Sequence, residues 1–365
     1  MMKKIIIMLM ILVLFNCQNK NESGDYQFEK INIRGQLLPI RSADIPDPWL
    51  LLVIDTLLVI SNSPNDEHQF TIINLKNNNL VKHFGTRGRG PGELVSSFMF
   101  SKSRKHRCFE TYSINLLQVQ RINVDSVLKG KNPYHEVIAT FKANKDKTNP
   151  KNFFWPLRAK CVNKNLFITC DFFHEDKLFG LCDNKGNILG TYLNYPDVKK
   201  LPFQVKKMKL LVYKPLIEMH PKDNRFVYAC RRSDWLVIGD ATTKGIKTLY
   251  NQYSFLPKSY IRSGLTPVLK IDRSSIQGNY GLVTSEDYIF VQKSNKTVTE
   301  SITGNRIELV SNIIYVYDWN GKMKYQLDLD RNISYFTIDE HKKVLYALTN
   351  HLEPVIIMYN LEQIL

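Results

Sequence analysis

Apolar residues fall in short runs along this chain, and almost nowhere at the three-and-four spacing of a helix. Runs rich in Val, Ile, Leu, Phe and Tyr are separated by Asn, Asp, Gly and Lys, which is the pattern of an all-β chain. One unit recurs: an apolar strand, an Asp or Asn, a turn, and another strand. It stands at 70–74, 116–123, 178–183, 235–240, 313–318 and 355–360. The clearest turn is Asp318-Trp319-Asn320-Gly321-Lys322, where Asn-Gly supplies the positive φ angles of a tight hairpin.

Before each anchor stands another strand pair. It is regular at 51–61, 280–292 and 334–348, and less so at 98–113, 158–170 and 218–230. Six copies of a four-stranded meander predict a six-bladed β-propeller over residues 26–365. Polar insertions interrupt it at about 125–155, 195–217, 255–277 and 294–310. The sixth copy reaches its third strand at 355–360, and its fourth has no sequence left. The unassigned segment 26–33 alternates at period two, so it is expected to complete the last blade and close the ring. Two β-sandwiches are the alternative architecture.

Composition changes this picture in two ways. Lys plus Arg number 50 and Asp plus Glu 34, a net charge of +16, or +14 once Lys3 and Lys4 are set aside with the leader. Such a surplus attracts anionic partners or simply solvates the surface. Many of the lysines sit in insertions, at Lys142, Lys145, Lys147 and Lys151, and again at Lys199, Lys200, Lys206, Lys207, Lys209 and Lys214. Phe153-Phe154-Trp155-Pro156 adds aromatic surface beside the first group. Anionic glycan or an acidic protein fits such loops; nucleic acid is not expected outside the cytoplasm.

The second change concerns the N-terminus. Met1 to Lys4 is a short positive region, followed by an apolar run from Ile5 to Phe15 that is too short for an ordinary membrane span. It ends at Asn16-Cys17 and gives way at once to polar residues. That order resembles a bacterial lipoprotein signal: residues 1–16 are removed, Cys17 carries lipid, and 17–25 form a tether. The expected address is the cell envelope, on either side of an outer membrane, with the lipid as the membrane contact. Five cysteines then remain (Cys108, Cys161, Cys170, Cys182 and Cys230), an odd number without a CxxC. They read as small core residues rather than metal ligands.

No catalytic signature is present: there is no HExxH and no GxSxG. Neither a cofactor nor a metal is expected. His220, two residues after Glu218 near a predicted innermost strand, either shares its face toward the channel or packs at a loop end. The densest cluster of Gly, Arg and Pro is Phe84-Gly85-Thr86-Arg87-Gly88-Arg89-Gly90-Pro91-Gly92-Glu93-Leu94. It lacks the Gly-Lys-Ser/Thr of a phosphate loop and leads into another strand. This stretch and the leader together resemble the TolB-like six-bladed propeller lipoproteins of Bacteroides-type bacteria. The resemblance places the stretch between an outermost strand and the next blade's innermost strand, on a face where ligands commonly bind. Arg87, Arg89, Glu93 and Arg158 are the candidate binding residues. The implied function is a lipid-anchored binding or interaction scaffold. A channel enzyme acting on glycans or lactones is the alternative, because such sites draw residues from several blades and leave no linear motif.

Overall fold

The computed structural model describes residues 28–90, 92–95, 99–142, 156–171, 177–196, 209–263, 268–303, 306–307, 310–349 and 353–365. Its sheets form a six-bladed propeller, each blade an antiparallel meander running from the channel outward. The first blade is Pro48–Ile54, Leu57–Asn62, His68–Asn74 and Asn79–Thr86; the second is Met99–Lys102, Cys108–Ser113, Gln118–Asn123 and His135–Thr140. The third is Pro156–Asn163, Leu166–Asp171, Lys177–Asp183 and Ile188–Asn194; the fourth is Pro215–Met219, Arg225–Cys230, Leu236–Thr242 and Gly245–Gln252. The fifth is Asn279–Thr284, Tyr288–Lys293, Ser311–Asp318 and Met323–Ile333. The sixth supplies Tyr335–Asp339, Val344–Thr349 and Val355–Asn360. All six anchors are third strands.

The ring closes through the N-terminal segment, though not with the residues expected. Gln36–Leu37 pairs antiparallel with Val355–Asn360 and is the fourth strand of the last blade. Glu29–Ile33 lies one blade earlier, as a parallel fifth strand on Met323–Ile333. Its period-two alternation holds: Ile31 enters the core while its neighbours stay exposed or half-buried. Arg34 and Gly35 carry the chain across to the next blade, and Leu38 then enters the core between the last and first blades.

Six apolar clusters hold the ring together, one in each joint between neighbouring blades. The second strands show how. In Leu57–Asn62, Leu57 and Val59 face the second blade while Leu58 and Ile60 face the last. In Arg225–Cys230, Phe226, Tyr228 and Cys230 face the third blade, and Val227 and Ala229 face the fifth. A strand sandwiched on both faces has no solvent side, so it reads as a continuous apolar run rather than an alternating one. Each fully buried Leu, Ile or Phe contributes about 1.5–3 kcal/mol, so these joints, more than any ion pair, make the six sheets one body.

All four expected insertions contain regular elements, and two of them hold strands of the blades themselves. The stretch 125–155 includes the outer strand His135–Thr140, and 195–217 runs into the helix Lys209–Val212 and the innermost strand Pro215–Met219. Outer strands are half exposed and carry charges, which makes them look like loops in sequence. The other two insertions carry small hairpins, Ser259–Arg262 with Val268–Ile271 and Ile302–Thr303 with Arg306–Ile307. The expected hairpin turn is present, but of Asn-Gly only the glycine takes a positive φ. Gly321 has φ +83, and Asp318 Oδ1 accepts from the backbone N–H of Asn320 and Lys322 at 3.0 and 2.9 Å.

Candidate functional site

The innermost strands all run in the same direction along the channel, and each leaves one edge of its backbone unpaired there. At their C-terminal ends the channel widens into a cavity of about 970 Å³, reached by all six strands. Eight Lys and Arg side chains line it against six carboxylates. The most deeply set pair is Lys160 of the third blade with Glu218 of the fourth, 2.7 Å apart. Burial raises the Glu218 carboxyl above its ordinary range, and Lys160 works against that rise. The ammonium, and after it Arg158, favours the charged form of the carboxylate against burial.

The rim of this mouth is fastened across the blades. Arg107 of the second blade binds Asp55 of the first at 2.7 Å, and Asp125 of its own blade at the same distance. Arg104 reaches the carbonyls of Val162, His220 and Asp223, joining three blades with one guanidinium. His220 is buried, and its Nδ1 accepts from the backbone N–H of Lys222 and Asp223 at 3.1 and 3.0 Å. That leaves Nε2 to donate to the Glu286 carbonyl of the fifth blade at 2.9 Å. Burial lowers the imidazole's pKa, in keeping with a neutral link. Trp319 packs edge-on against the ring at 4.8 Å. Lys222 pairs with Glu286 at 2.6 Å, and the Glu286 N–H donates to Glu340 of the sixth blade at 2.8 Å. Lys102 and Lys164 are exposed on the same rim, and neither forms an ion pair among the described residues.

The opposite, junction-side end is built differently. Arg158 lies two residues before Lys160 on the same strand, so both side chains take the face turned to the fourth blade. Lys214 immediately precedes the fourth blade's innermost strand, and Arg231 and Arg232 form the turn after its second strand. The Arg231 N–H donates to the Lys214 carbonyl at 2.9 Å, which places these segments side by side. Among the described residues the Arg158 side chain donates to the Leu157 carbonyl, at 3.2 Å, and the Arg231 side chain to the Tyr280 carbonyl, at 3.5 Å. No carboxylate among the described residues lies within ion-pair distance of these four cations. Burial, then repulsion from Arg231, pushes the Arg158 guanidinium down to about 10. Burial, then Arg231, Arg158 and Arg232, pushes the Lys214 ammonium down to about 8. Arg231 Nε and the Tyr280 hydroxyl are both buried without a hydrogen-bond partner. An unmet buried donor costs about 1–3 kcal/mol.

The four residues singled out in the sequence therefore part company. Arg87 is half-buried, and its guanidinium donates to the carbonyls of Asp66 and Ser63 at 2.8 and 2.7 Å. Glu93 Oε2 accepts from the Gly90 N–H at 2.6 Å and closes the loop on itself. Gly85 at φ +77 lies so close to Leu94 and Phe70 that a side chain would be strained there. The stretch is thus held chiefly by its own blade, and Arg89 stands exposed beside it. Only Arg158 joins a cluster. The stretch also lies on the face opposite the wide mouth, since it leads into the start of an innermost strand. Of the pair near the channel, Glu218 lines the cavity with its carboxylate, whereas His220 is consumed by the turn. Lys214, Arg231 and Arg232 carried a weak signal: two arginines and a lysine at the ends of strands that are otherwise apolar. Cys108, Cys170, Cys182 and Cys230 are buried and form no disulfide, as expected for small core residues. Cys161 lines the cavity, its thiol pushed up to about 12 by burial. Cys17 and the lysines at 145–151 and 199–207 lie outside the described residues. Lys209 is buried over the Tyr195 ring rather than displayed to solvent.

The model of a family described as TolB-like 6-blade propeller-like matches residues 27–341. Among solved structures, a putative exported protein from Bacteroides fragilis superposes with a TM-score of 0.52, covering 90% of this chain and 98% of its own at 13% identity. A member of the DUF4221 family from Bacteroides vulgatus gives 0.50, covering 86% and 92% at 12% identity. At such identities the likeness is one of fold. No curated protein matches the chain.

Proposed function

The chain belongs to the TolB-like six-bladed propeller family, and from that premise we propose that it is an exported binding module of the cell envelope. It is tethered by lipid on Cys17 and takes an anionic glycan or an acidic protein segment at the wide mouth of its channel. The observation that carries this reading is the mouth itself. Its volume of about 970 Å³ is that of a ligand pocket. Its rim is fixed by hydrogen bonds and ion pairs that run from blade to blade, so little ordering is needed on binding. Most of its carboxylates are already neutralised by those contacts. Lys102 and Lys164 are left as cations facing an arriving ligand.

The test compares the mature protein with a Lys102→Ala, Lys164→Ala double variant against uronic-acid oligosaccharides and acidic peptides. Wild type is expected to bind one of these classes, more weakly as salt rises, and the variant to lose about tenfold, roughly 1.4 kcal/mol. Equal capture by the two proteins would remove the mouth from this role. The anchor is tested separately: Cys17→Ser should abolish incorporation of labelled fatty acid and free the protein from the membrane fraction. A wild-type protein that takes up no label overturns the tether.

A further inference from the structure

We propose that the junction-side end of the channel is a second site, for a tetrahedral oxyanion (sulfate or phosphate) held between Arg158, Lys214, Arg231 and Arg232. The site is independent of the wide mouth and would stand if that reading failed. Its four cations come from two neighbouring blades, and among the described residues no carboxylate pairs with any of them. The buried Arg231 Nε has no acceptor, and the buried Tyr280 hydroxyl, from the fifth blade, has no partner. Arg231 Nη2 donates to the Tyr280 backbone carbonyl at 3.5 Å, and the Tyr280 side chain lies within electrostatic reach of both Arg231 and Arg232.

The turn that presents the two arginines is clamped before any ligand arrives. Asn279 of the fifth blade donates to the carbonyls of Cys230 and Ser233, at 3.0 Å each, on either side of Arg231-Arg232. A side chain at Gly278 would run into the Ser233 backbone, so the fifth blade is pressed against this turn. Trp235 is buried just beyond it, its indole N–H donating to Asn251 at 2.7 Å. Guanidinium forks held in this way suit an acceptor with several oxygens, and a dianion offsets four clustered positive charges better than one carboxylate does. The Tyr280 hydroxyl adds a neutral donor.

The experiment uses the mature protein in chloride buffer, titrated with sodium sulfate and sodium phosphate, with sodium chloride at matched ionic strength as reference. Calorimetry and melting temperature are the readouts. Sulfate or phosphate should bind saturably and raise the melting temperature beyond the chloride reference. Arg158→Gln with Arg231→Gln should weaken binding at least tenfold, while Lys185→Ala with Lys247→Ala, exposed and part of neither site, leaves it unchanged. If the arginine variant fails to fold, Lys214→Met serves in its place, with a smaller but measurable loss. A sulfated disaccharide and its unsulfated counterpart, titrated into the Lys102→Ala, Lys164→Ala protein so that the wide mouth does not contribute, identify the source of the anion. Tighter binding of the sulfated sugar than of inorganic sulfate shows that the group arrives on a larger ligand; preference for the inorganic ion shows a free anion. A response no greater than that to chloride, or equal binding by wild type and the cation variants, overturns the site.

Discussion

The two ends of the channel use the same residue types to opposite effect. At the wide mouth nearly every Lys and Arg has a carboxylate or a carbonyl, and these contacts tie one blade to the next. At the junction side four cations crowd together, and among the described residues only two of their side chains have carbonyl acceptors. A paired charge, once buried, becomes part of the frame, and removing its partner leaves an ion without compensation. A cluster without ion pairs opposes the frame instead: Glu218 offsets Arg158 only from a distance, and an incoming anion would relieve the rest. Substitutions at the two ends should therefore differ in sign, not merely in size.

Both ends depend on the closed ring, so the largest effect comes from opening it. Removal of residues 28–38 takes away the fourth strand of the last blade, the fifth strand of the fifth blade, and Ile31 and Leu38 from two cores. The truncated mature protein should lose its cooperative melting transition and with it ligand binding at either end. Calorimetry alongside the intact mature protein checks this; matching transitions would show that the ring holds without its N-terminal clasp.

The next effect sets the ends against each other directly. Glu218→Gln leaves the Lys160 ammonium buried without its counter-ion and should destabilise the fold by about 3 kcal/mol. Arg231→Met removes one member of the unpaired cluster and should leave stability in chloride buffer unchanged or raised. Denaturant melts of the two variants decide the matter. A loss of similar size in both would mean that Arg231 is as well compensated as Lys160.

A titration sharpens the same contrast. Lys214 faces Arg231, Arg158 and Arg232, and its ammonium sits at about 8 in the fold against an ordinary 10.5. Between those values the unfolded chain binds more protons than the folded one, so stability rises as pH increases through the window. Below about 8 the penalty is fully present. Lys214→Met should accordingly melt higher than wild type at neutral pH, with the gap closing toward pH 10. Bound sulfate should narrow the gap at neutral pH, because an anion stabilises the ammonium already present and removes its penalty. A gap independent of pH would show that the lysine is not titrating in this window.

These expectations also mark what the sequence could carry. The third strands were legible because each couples an apolar run to an Asp or Asn turn, as at 178–183 and 235–240. The outer strands were not: His135–Thr140 is packed on one side only, and its exposed Glu136 and Val137 give it the look of a loop. The closing strand was displaced because Gln36–Leu37 has two residues and no period to read, while 29–33 has a clear one. Site residues suffered from the same locality. Gly, Arg and Pro at 84–94 are dense in sequence because a tight crossing needs them, whereas Arg158, Lys214 and Arg231-Arg232 are scattered and meet only through the ring.

The smallest effects lie at that crossing, and they separate its two arginines. Arg87 fastens two backbone carbonyls in the turn at 63–66, and burial lowers its pKa. Arg87→Ala leaves those carbonyls without a donor and should lower stability by about 1–2 kcal/mol. Arg89 is exposed, and Arg89→Ala should change stability by less than about 0.5 kcal/mol. Neither substitution should alter sulfate binding, since neither side chain belongs to the cluster of Arg158, Lys214 and Arg231-Arg232. Equilibrium denaturation and the sulfate titration, run on each single variant, read both quantities. Loss of sulfate affinity in Arg89→Ala with stability intact would extend the anion site to the crossing between the first two blades. Stability retained in Arg87→Ala would show that the turn at 63–66 holds its shape unaided.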